Sequence, residues 1–281
     1  MAQGLKNAET SQIKTMDASK TCHGPPPVSS DGNPFVRVEN VSLRFGTVEA
    51  VRNVRFGADR GTIFGLVGSD GAGKSTLLRM IATMIRPALG TIRIGGLDVV
   101  KDRAAVKDLI GYMPQRFGLY QDLTVEENID FFLNVFGIRG KERRERKERY
   151  LGFSNLLPFK ERLAGNLSGG MKQKLGLACV LVHEPALLIL DEPTNGVDPV
   201  SRREFWEILG EMQRNGMTIL ISTAYLDEGE RCDRIALLHS SRLLDEASPG
   251  ELRGGSPTLE EAIIGRLLAA DRELAHEPYR R

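Results

Sequence analysis

Thr62-Ile63-Phe64-Gly65-Leu66-Val67-Gly68-Ser69-Asp70-Gly71-Ala72-Gly73-Lys74-Ser75-Thr76-Leu77-Leu78 runs from an apolar stretch into a glycine-rich turn and out into residues of helical periodicity. The octet Gly68, Ser69, Asp70, Gly71, Ala72, Gly73, Lys74, Ser75 fits GxxxxGK followed by Ser or Thr. A strand before it and a helix after it are the context that separates a phosphate cradle from a chance glycine turn. Glycines let backbone amides close around phosphate oxygens, and the helix start turns partial positive charge towards them. Lys74 is expected to reach the β and γ groups and Ser75 to ligate Mg²⁺, with Thr76 in the same helical turn. Asp70 is out of character, because a carboxylate repels a triphosphate; the cradle survives if that side chain points outward.

On the N-terminal side, β-like runs cover 35 to 41, 49 to 57 and 62 to 67; on the C-terminal side a helical segment covers 75 to 85, and strand and helix signals then alternate. That alternation predicts an α/β fold with a largely parallel sheet. Residues 1–33 are polar, end in Pro25-Pro26-Pro27 and Ser29-Ser30-Asp31-Gly32, and read as a flexible leader. The main domain is expected over 34–247. Residues 248–281 read as a linker, a short amphipathic helix at 258 to 268, and a tail. The charged run 141 to 149 pairs Glu142 with Arg146 and Glu145 with Arg149, which predicts a solvated helix face. No internal repeat is present, so a single catalytic unit is expected.

A second chemical element closes the apolar run Ala186-Leu187-Leu188-Ile189-Leu190 with two acids, Asp191 and Glu192. At a strand end beside the glycine loop, Asp191 suits Mg²⁺, directly or through water, and Glu192 suits a general base that polarises an attacking water. Ser168 with the amides of Gly169 and Gly170 opens a further helix, a place that favours an anion.

The chain has 281 residues, 41% of them apolar, and its 38 Lys and Arg nearly balance 37 Asp and Glu, for a net charge of +1. A substantial core follows, and the field is too weak for a dedicated nucleic-acid binder, so no nucleic-acid partner is expected. Apolar runs fall short of the roughly 18 residues of a spanning helix, and no signal-peptide stretch is seen. Cys22, Cys179 and Cys232 lack metal spacing; reduced thiols are expected, with Cys179 and Cys232 packed in helices.

From about Phe35 to Ala247 these motifs resemble the ATP-binding subunit of ABC transporters. Leu167-Ser168-Gly169-Gly170-Met171-Lys172-Gln173-Lys174 is similar to the signature that separates this family from other phosphate-loop enzymes. The resemblance implies a P-loop NTPase core with an antiparallel β subdomain and a helical signature subdomain, ATP and Mg²⁺ as ligands, and ATP hydrolysis. It implies that Ser168, Gly169 and Gly170 meet the γ-phosphate bound to an opposite subunit. Gln115, in Tyr112-Met113-Pro114-Gln115, matches the Q-loop glutamine that reaches Mg²⁺ and the water. Phe45 matches the aromatic that stacks on adenine, where the family usually has tyrosine, and Asp198 in Asn195-Gly196-Val197-Asp198 matches the residue that bridges two subunits. The stretches 123 to 132 and 252 to 264 are similar to the bacterial drug and polysaccharide export branch. The implied partners are an integral membrane permease and a second ATP-binding domain. The implied place is the cytoplasmic face of the cell membrane, with coupling through Gln115 and the segment 125 to 135.

One position departs from the family. Where it carries Ser-Thr-His, with a switch histidine, this chain reads Ser222-Thr223-Ala224. His23, His183, His239 and His276 do not substitute by sequence position. Loss of a charge-assisted hydrogen bond in the transition state costs roughly 1.5 to 3 kcal/mol, about ten- to hundredfold in rate. Two readings follow: a lineage that hydrolyses ATP with Glu192 and Gln115 alone, or the impaired half of an asymmetric pair. The alternatives from other classes are a soluble ABC ATPase of translation or DNA repair and a nucleotide-dependent regulator that does not hydrolyse.

Overall fold

The structure, a computed structural model, describes residues 33–116 and 118–276. The expected leader lies outside them apart from Asn33, as do Cys22, His23 and the end of the tail.

β1 (Val36–Phe45) and β2 (Val48–Ala58) form a hairpin around Gly46, whose φ of +58° suits the tight turn. β3 (Ile63–Gly68) feeds α1 (Lys74–Ile81); β4 (Leu89–Ile94) and β5 (Leu97–Asp98) follow. α2 (Arg103–Leu109) turns directly into β6 (Ile110–Met113), and the chain then becomes helical through α3 (Val125–Val135), α4 (Gly140–Phe153) and α5 (Gly169–Leu181). β7 (Leu187–Asp191), α6 (Pro199–Arg214), β8 (Thr218–Thr223), β9 (Arg234–His239) and β10 (Arg242–Ala247) complete the domain, and α7 (Pro249–Arg253) and α8 (Leu259–His276) end it.

Two sheets result. The antiparallel one runs β2-β1-β4-β5; the other runs β10-β9-β3-β8-β7-β6, parallel throughout except for the β9-β10 hairpin. Period-two alternation assigns each face of the second sheet to a separate core. Ile63, Val67, Leu188, Leu190, Ile219 and Ile221 face the helical side with α3 to α6, whereas Phe64, Leu66, Leu187, Ile189 and Leu220 face α1 and the antiparallel sheet. Strands covered on both faces tolerate little polarity along their length. Polar residues therefore collect where the strands stop, at Ser69 just past β3, Asp191 and Ser222-Thr223. In open parallel sheets that carboxyl edge is where ligands bind.

Four local expectations need correction. The helix expected over 75 to 85 stops at Ile81, because Thr83 takes a left-handed φ of +62° and the amides of Met84 and Ile85 close back on the Arg79 carbonyl. The helix expected at 258 to 268 continues to His276. The run 141 to 149 is helical but only partly a solvated face. Arg146 keeps Glu142 at 2.7 Å, while Arg149 reaches Glu184 at 3.0 Å and Lys147 reaches Glu126 of α3 at 2.7 Å. Cys179 packs in α5, but Cys232 follows the short turn 226 to 231 in extended backbone, buried against Gly65.

Candidate functional site

β3, β8 and β7 are adjacent in the sheet, so their ends bring the glycine loop, Ser222 and the acid pair together. The loop is wedged between two backbones. A Cβ on Gly68 (φ +156°) would stand 2.0 Å from the Leu238 carbonyl, and one on Gly73 (φ +98°) would stand 2.3 Å from the Ala50 carbonyl. Only glycine fits either place. Lys74 is almost fully buried and shares its ammonium between two loop carbonyls and one carboxylate. Its Nζ donates to the carbonyls of Gly68 (2.8 Å) and Ser69 (3.0 Å) and lies 3.3 Å from Glu192 Oε1. A buried cation held by two carbonyls of a glycine loop and by the Glu192 carboxylate can exchange those carbonyls for phosphate oxygens, which carry full charge.

Asp191 is fully buried. Ser75 Oγ and Ser222 Oγ each donate to its Oδ1 at 2.8 Å, and its Oδ2 has no partner. An orphaned carboxylate oxygen costs on the order of 1–3 kcal/mol or more, which a hard cation beside Ser75 would relieve. The residues therefore fit Mg²⁺. Among the described residues no cluster of three His, Cys, Asp or Glu could hold a metal, so such an ion would complete its shell from phosphate and water. Tyr112 lies close by; burial first, and the Asp191 charge second, push its phenol above the ordinary value and keep it a protonated hydroxyl.

Glu192 occupies a left-handed φ of +48°, rare for a residue with a side chain. Its amide is held by the Ser222 hydroxyl (3.0 Å) and carbonyl (3.2 Å). Its Oε2 accepts from Gln115 Nε2 at 2.9 Å and from Asn195 Nδ2 at 3.4 Å. Gln115, distant in sequence, thus meets Lys74 and Glu192 in one cluster. In front lies a cavity of about 230 Å³ lined by Asp70, Glu192, Thr194, Asn195, Thr223, Ala224 and Tyr225. No imidazole lines it. Asp70 faces this cavity from the exposed loop rim and makes no described hydrogen bond. Behind Ala224, the buried Glu228 accepts from Thr223 (2.6 Å) and Thr194 (2.8 Å), and the Arg202 guanidinium covers the Tyr225 ring at 3.9 Å.

Other expected residues stand apart. Ser168 caps α5, accepting from the Met171 amide at 3.3 Å, and α5 packs on the sheet face opposite α1. None of its described hydrogen bonds reaches the loop 68–75. Gly169 is exposed, and Gly170 is buried where a Cβ would stand 2.4 Å from the Ser201 side chain, so the starts of α5 and α6 are in contact. Asp198 caps α6; the Ser201 amide first, with that of Val200, holds its carboxyl below the ordinary value. Phe45 is half exposed at the hairpin tip, paired with Val48, two residues from the Ala50 that touches Gly73. Sequence reasoning missed Ser222, Asn195, Thr194, Tyr112 and Glu228 as partners. For Ser222 the signal was there, a hydroxyl ending the apolar run Thr218-Ile219-Leu220-Ile221.

A domain family described as ABC transporter matches residues 51–195, from β2 to just past Glu192. The chain belongs to the ABC transporter family. Within it, the chain is 50% identical over 192 residues to the probable multidrug ABC transporter ATP-binding protein YbhF of Escherichia coli (strain K12). That match covers 68% of this chain and 33% of YbhF, so the chain spans about a third of that relative's length. It is 33% identical over 249 residues to the linearmycin resistance ATP-binding protein LnrL of Bacillus subtilis (strain 168), covering 86% and 80% of the two chains. Among solved structures, the ABC transporter cassette MJ0796, a dimer in a post-hydrolysis state bound to ADP and Pi, superposes with a TM-score of 0.67 at 25% identity, covering 76% of this chain and 98% of that one. The P-loop α/β core expected from the resemblance is therefore the fold of this chain, with the antiparallel sheet and the helical segment α3 to α5 beside it.

Proposed function

We propose that this chain binds and hydrolyses ATP and thereby powers a separate integral membrane permease of an ABC exporter, from the cytoplasmic face of the cell membrane. The observation that carries the proposal is the single cluster of Lys74, Gln115 and Glu192 beside Ser75 and Asp191. Lys74 leaves its two carbonyls for the β and γ phosphates. Asp191 and Ser75 would hold Mg²⁺, which when bound neutralises phosphate charge. Gln115 orients the water that Glu192 deprotonates, both already within hydrogen-bond distance of each other. Phe45 offers a ring for adenine without needing the missing hydroxyl. The domain 34–247 carries this work, with 248–281 as an appendage.

Ser168 and Gly169 are exposed away from the chain's own loop and, with Gly170 behind them at the same helix start, would meet the γ-phosphate on a second ATP-binding domain, with Asp198 at the same junction. ATP then favours the closed pair because those contacts exist only when it is shut, a differential affinity that shifts the population. The imidazole-free cavity supports a further step: this chain is the impaired half of an asymmetric pair. The transport and drug resistance in the relatives' names speak against a soluble repair or translation ATPase, and the assembled Glu192 speaks against a non-hydrolysing regulator. Among the described residues no helix is long and apolar enough to cross a membrane, which leaves spanning to the permease.

Steady-state Mg-ATP turnover, measured at several protein concentrations against Glu192→Gln as background, tests this. Ser168→Arg should leave ATP binding intact and remove whatever turnover depends on dimerisation. Undiminished turnover in Ser168→Arg would refute closure over a shared phosphate. Robust turnover by the chain alone, rising faster than linearly with concentration, would discard the asymmetric pair.

A further inference from the structure

We propose that His239 is a positioning residue for the phosphate loop and that Asp271 thereby makes the C-terminal helix α8 part of the nucleotide site. The inference rests on the reading of Gly68 to Ser75 as the nucleotide cradle. In sequence His239 lies a full strand past Ala224. In the fold β9 runs beside β3 with Leu238 opposite Gly68, so β9 ends where the loop begins. The His239 side chain is only 11% exposed and is gripped from both ends. Its Nε2 lies 2.6 Å from Asp271 Oδ1 and its Nδ1 lies 3.4 Å from Ser69 Oγ. A carboxylate only accepts, so Nε2 carries the hydrogen, and Nδ1 and the Ser69 hydroxyl share the second hydrogen bond, a hydroxyl being able to donate or accept.

Ser69 is not an idle loop residue. Its carbonyl accepts from Lys74 Nζ at 3.0 Å and from the Ala72 amide at 3.2 Å. A continuous path therefore leads from Asp271 through His239 and Ser69 to the ammonium that must leave its carbonyls for phosphate. α8 does not need Asp271 to stay docked. Leu259 and Ile263 are buried near its start, Arg266 reaches Asp245 at 3.3 Å, and the helix packs on α7, the turn 226 to 231 and β9. About two turns beyond Ile263, Asp271 is largely exposed, and its described partner is His239. Its role is to set the imidazole, and through it the loop.

The test is a double-mutant cycle on the full chain, read as the Kd for Mg-ADP in Ser69→Ala, Asp271→Ala and the double variant, with Asp271→Asn and Lys74→Ala alongside. Asp271→Ala should weaken binding about three- to tenfold, the worth of one hydrogen bond. Asp271→Asn, whose amide oxygen still accepts from Nε2, should keep most of the affinity. In the Ser69→Ala background the Asp271→Ala effect should vanish. A helix that is merely structural would give the same loss with or without the Ser69 hydroxyl, and that result, or no loss at all, overturns the proposal. If the unaltered chain binds no Mg-ADP and Lys74→Ala changes nothing, the nucleotide reading fails and takes this inference with it.

Discussion

Glu192 combines a strained backbone with three side-chain neighbours, Lys74, Gln115 and Asn195, and the strain points its carboxylate across the end of the sheet. Residues whose chemistry is local were legible in the sequence. A lysine after a glycine turn and two acids ending an apolar strand declare themselves by neighbours alone. Ser222 and Glu228 were not, because their work is done on Asp191, Thr194 and Glu192 across about thirty positions. The glycines fall between these cases. The motif asks for Gly68, but only the fold gives the reason, the Leu238 carbonyl 2.0 Å from where a Cβ would sit. Gly68→Ala should therefore destabilise the whole domain by about 2–4 kcal/mol, through strain added to a clash, and not merely weaken ligand binding. Urea unfolding without nucleotide reads this directly; an unchanged midpoint would show that β9 yields without cost.

Elements were legible in kind and less so in extent. Amphipathic period placed α1 and α8, yet α1 ends early at a left-handed threonine, and α8 runs beyond the residues whose apolar pattern announced it. The helical segment has a further joint that periodicity does not reveal. His183, just past α5, stacks on Phe136 beyond α3 at 4.0 Å and meets the carbonyl of Ile110 at the start of β6 at 3.0 Å. Burial is the main cause that holds this imidazole below its ordinary value of 6.5, with the Ile110 bond opposing. The folded state therefore takes up the proton less readily than the unfolded one. Stability from this group is present above about pH 6.5 and is lost as pH falls below it towards the depressed folded value. His183→Gln keeps a donor for Ile110 but does not titrate. Between pH 7 and 5 it should lose less stability than the parent, by up to about 1.4 kcal/mol per pH unit while one proton is at stake. Parallel unfolding curves for the two proteins would show that His183 is not the titrating joint.

Across the whole molecule, the alternation of strand and helix foretold the parallel sheet, because its central strands β3, β7 and β8 are buried along their whole length and the returns from β6 to β7 and from β7 to β8 are helical. The order of the antiparallel sheet, with β4 beside β1, was not foretold, since pairing between distant strands leaves no local mark. The same holds for the cavity beside Glu192. Ala224 is a one-residue departure in sequence, and in the fold it opens onto about 230 Å³ between Asp70, Glu192 and Tyr225. Hydrogen bonds and a ring contact hold the walls around it: Thr223 donates to Glu228, the Tyr225 amide donates to Thr223 Oγ1 at 3.0 Å, and the Arg202 guanidinium covers the Tyr225 ring. Ala224 is exposed and lines the same cavity as Glu192, so an imidazole at 224 would share that space with the carboxylate. If the missing hydrogen bond is what limits hydrolysis by this chain, Ala224→His should raise its Mg-ATP turnover about ten- to hundredfold, with little change in nucleotide affinity. On the proposed closure over a shared phosphate, the gain should disappear when Ser168→Arg is added. Turnover that stays at background in Ala224→His, with ATP bound as before, would mean that the imidazole is not the missing part. Catalysis would then depend on contacts made only by an unlike partner or by the permease.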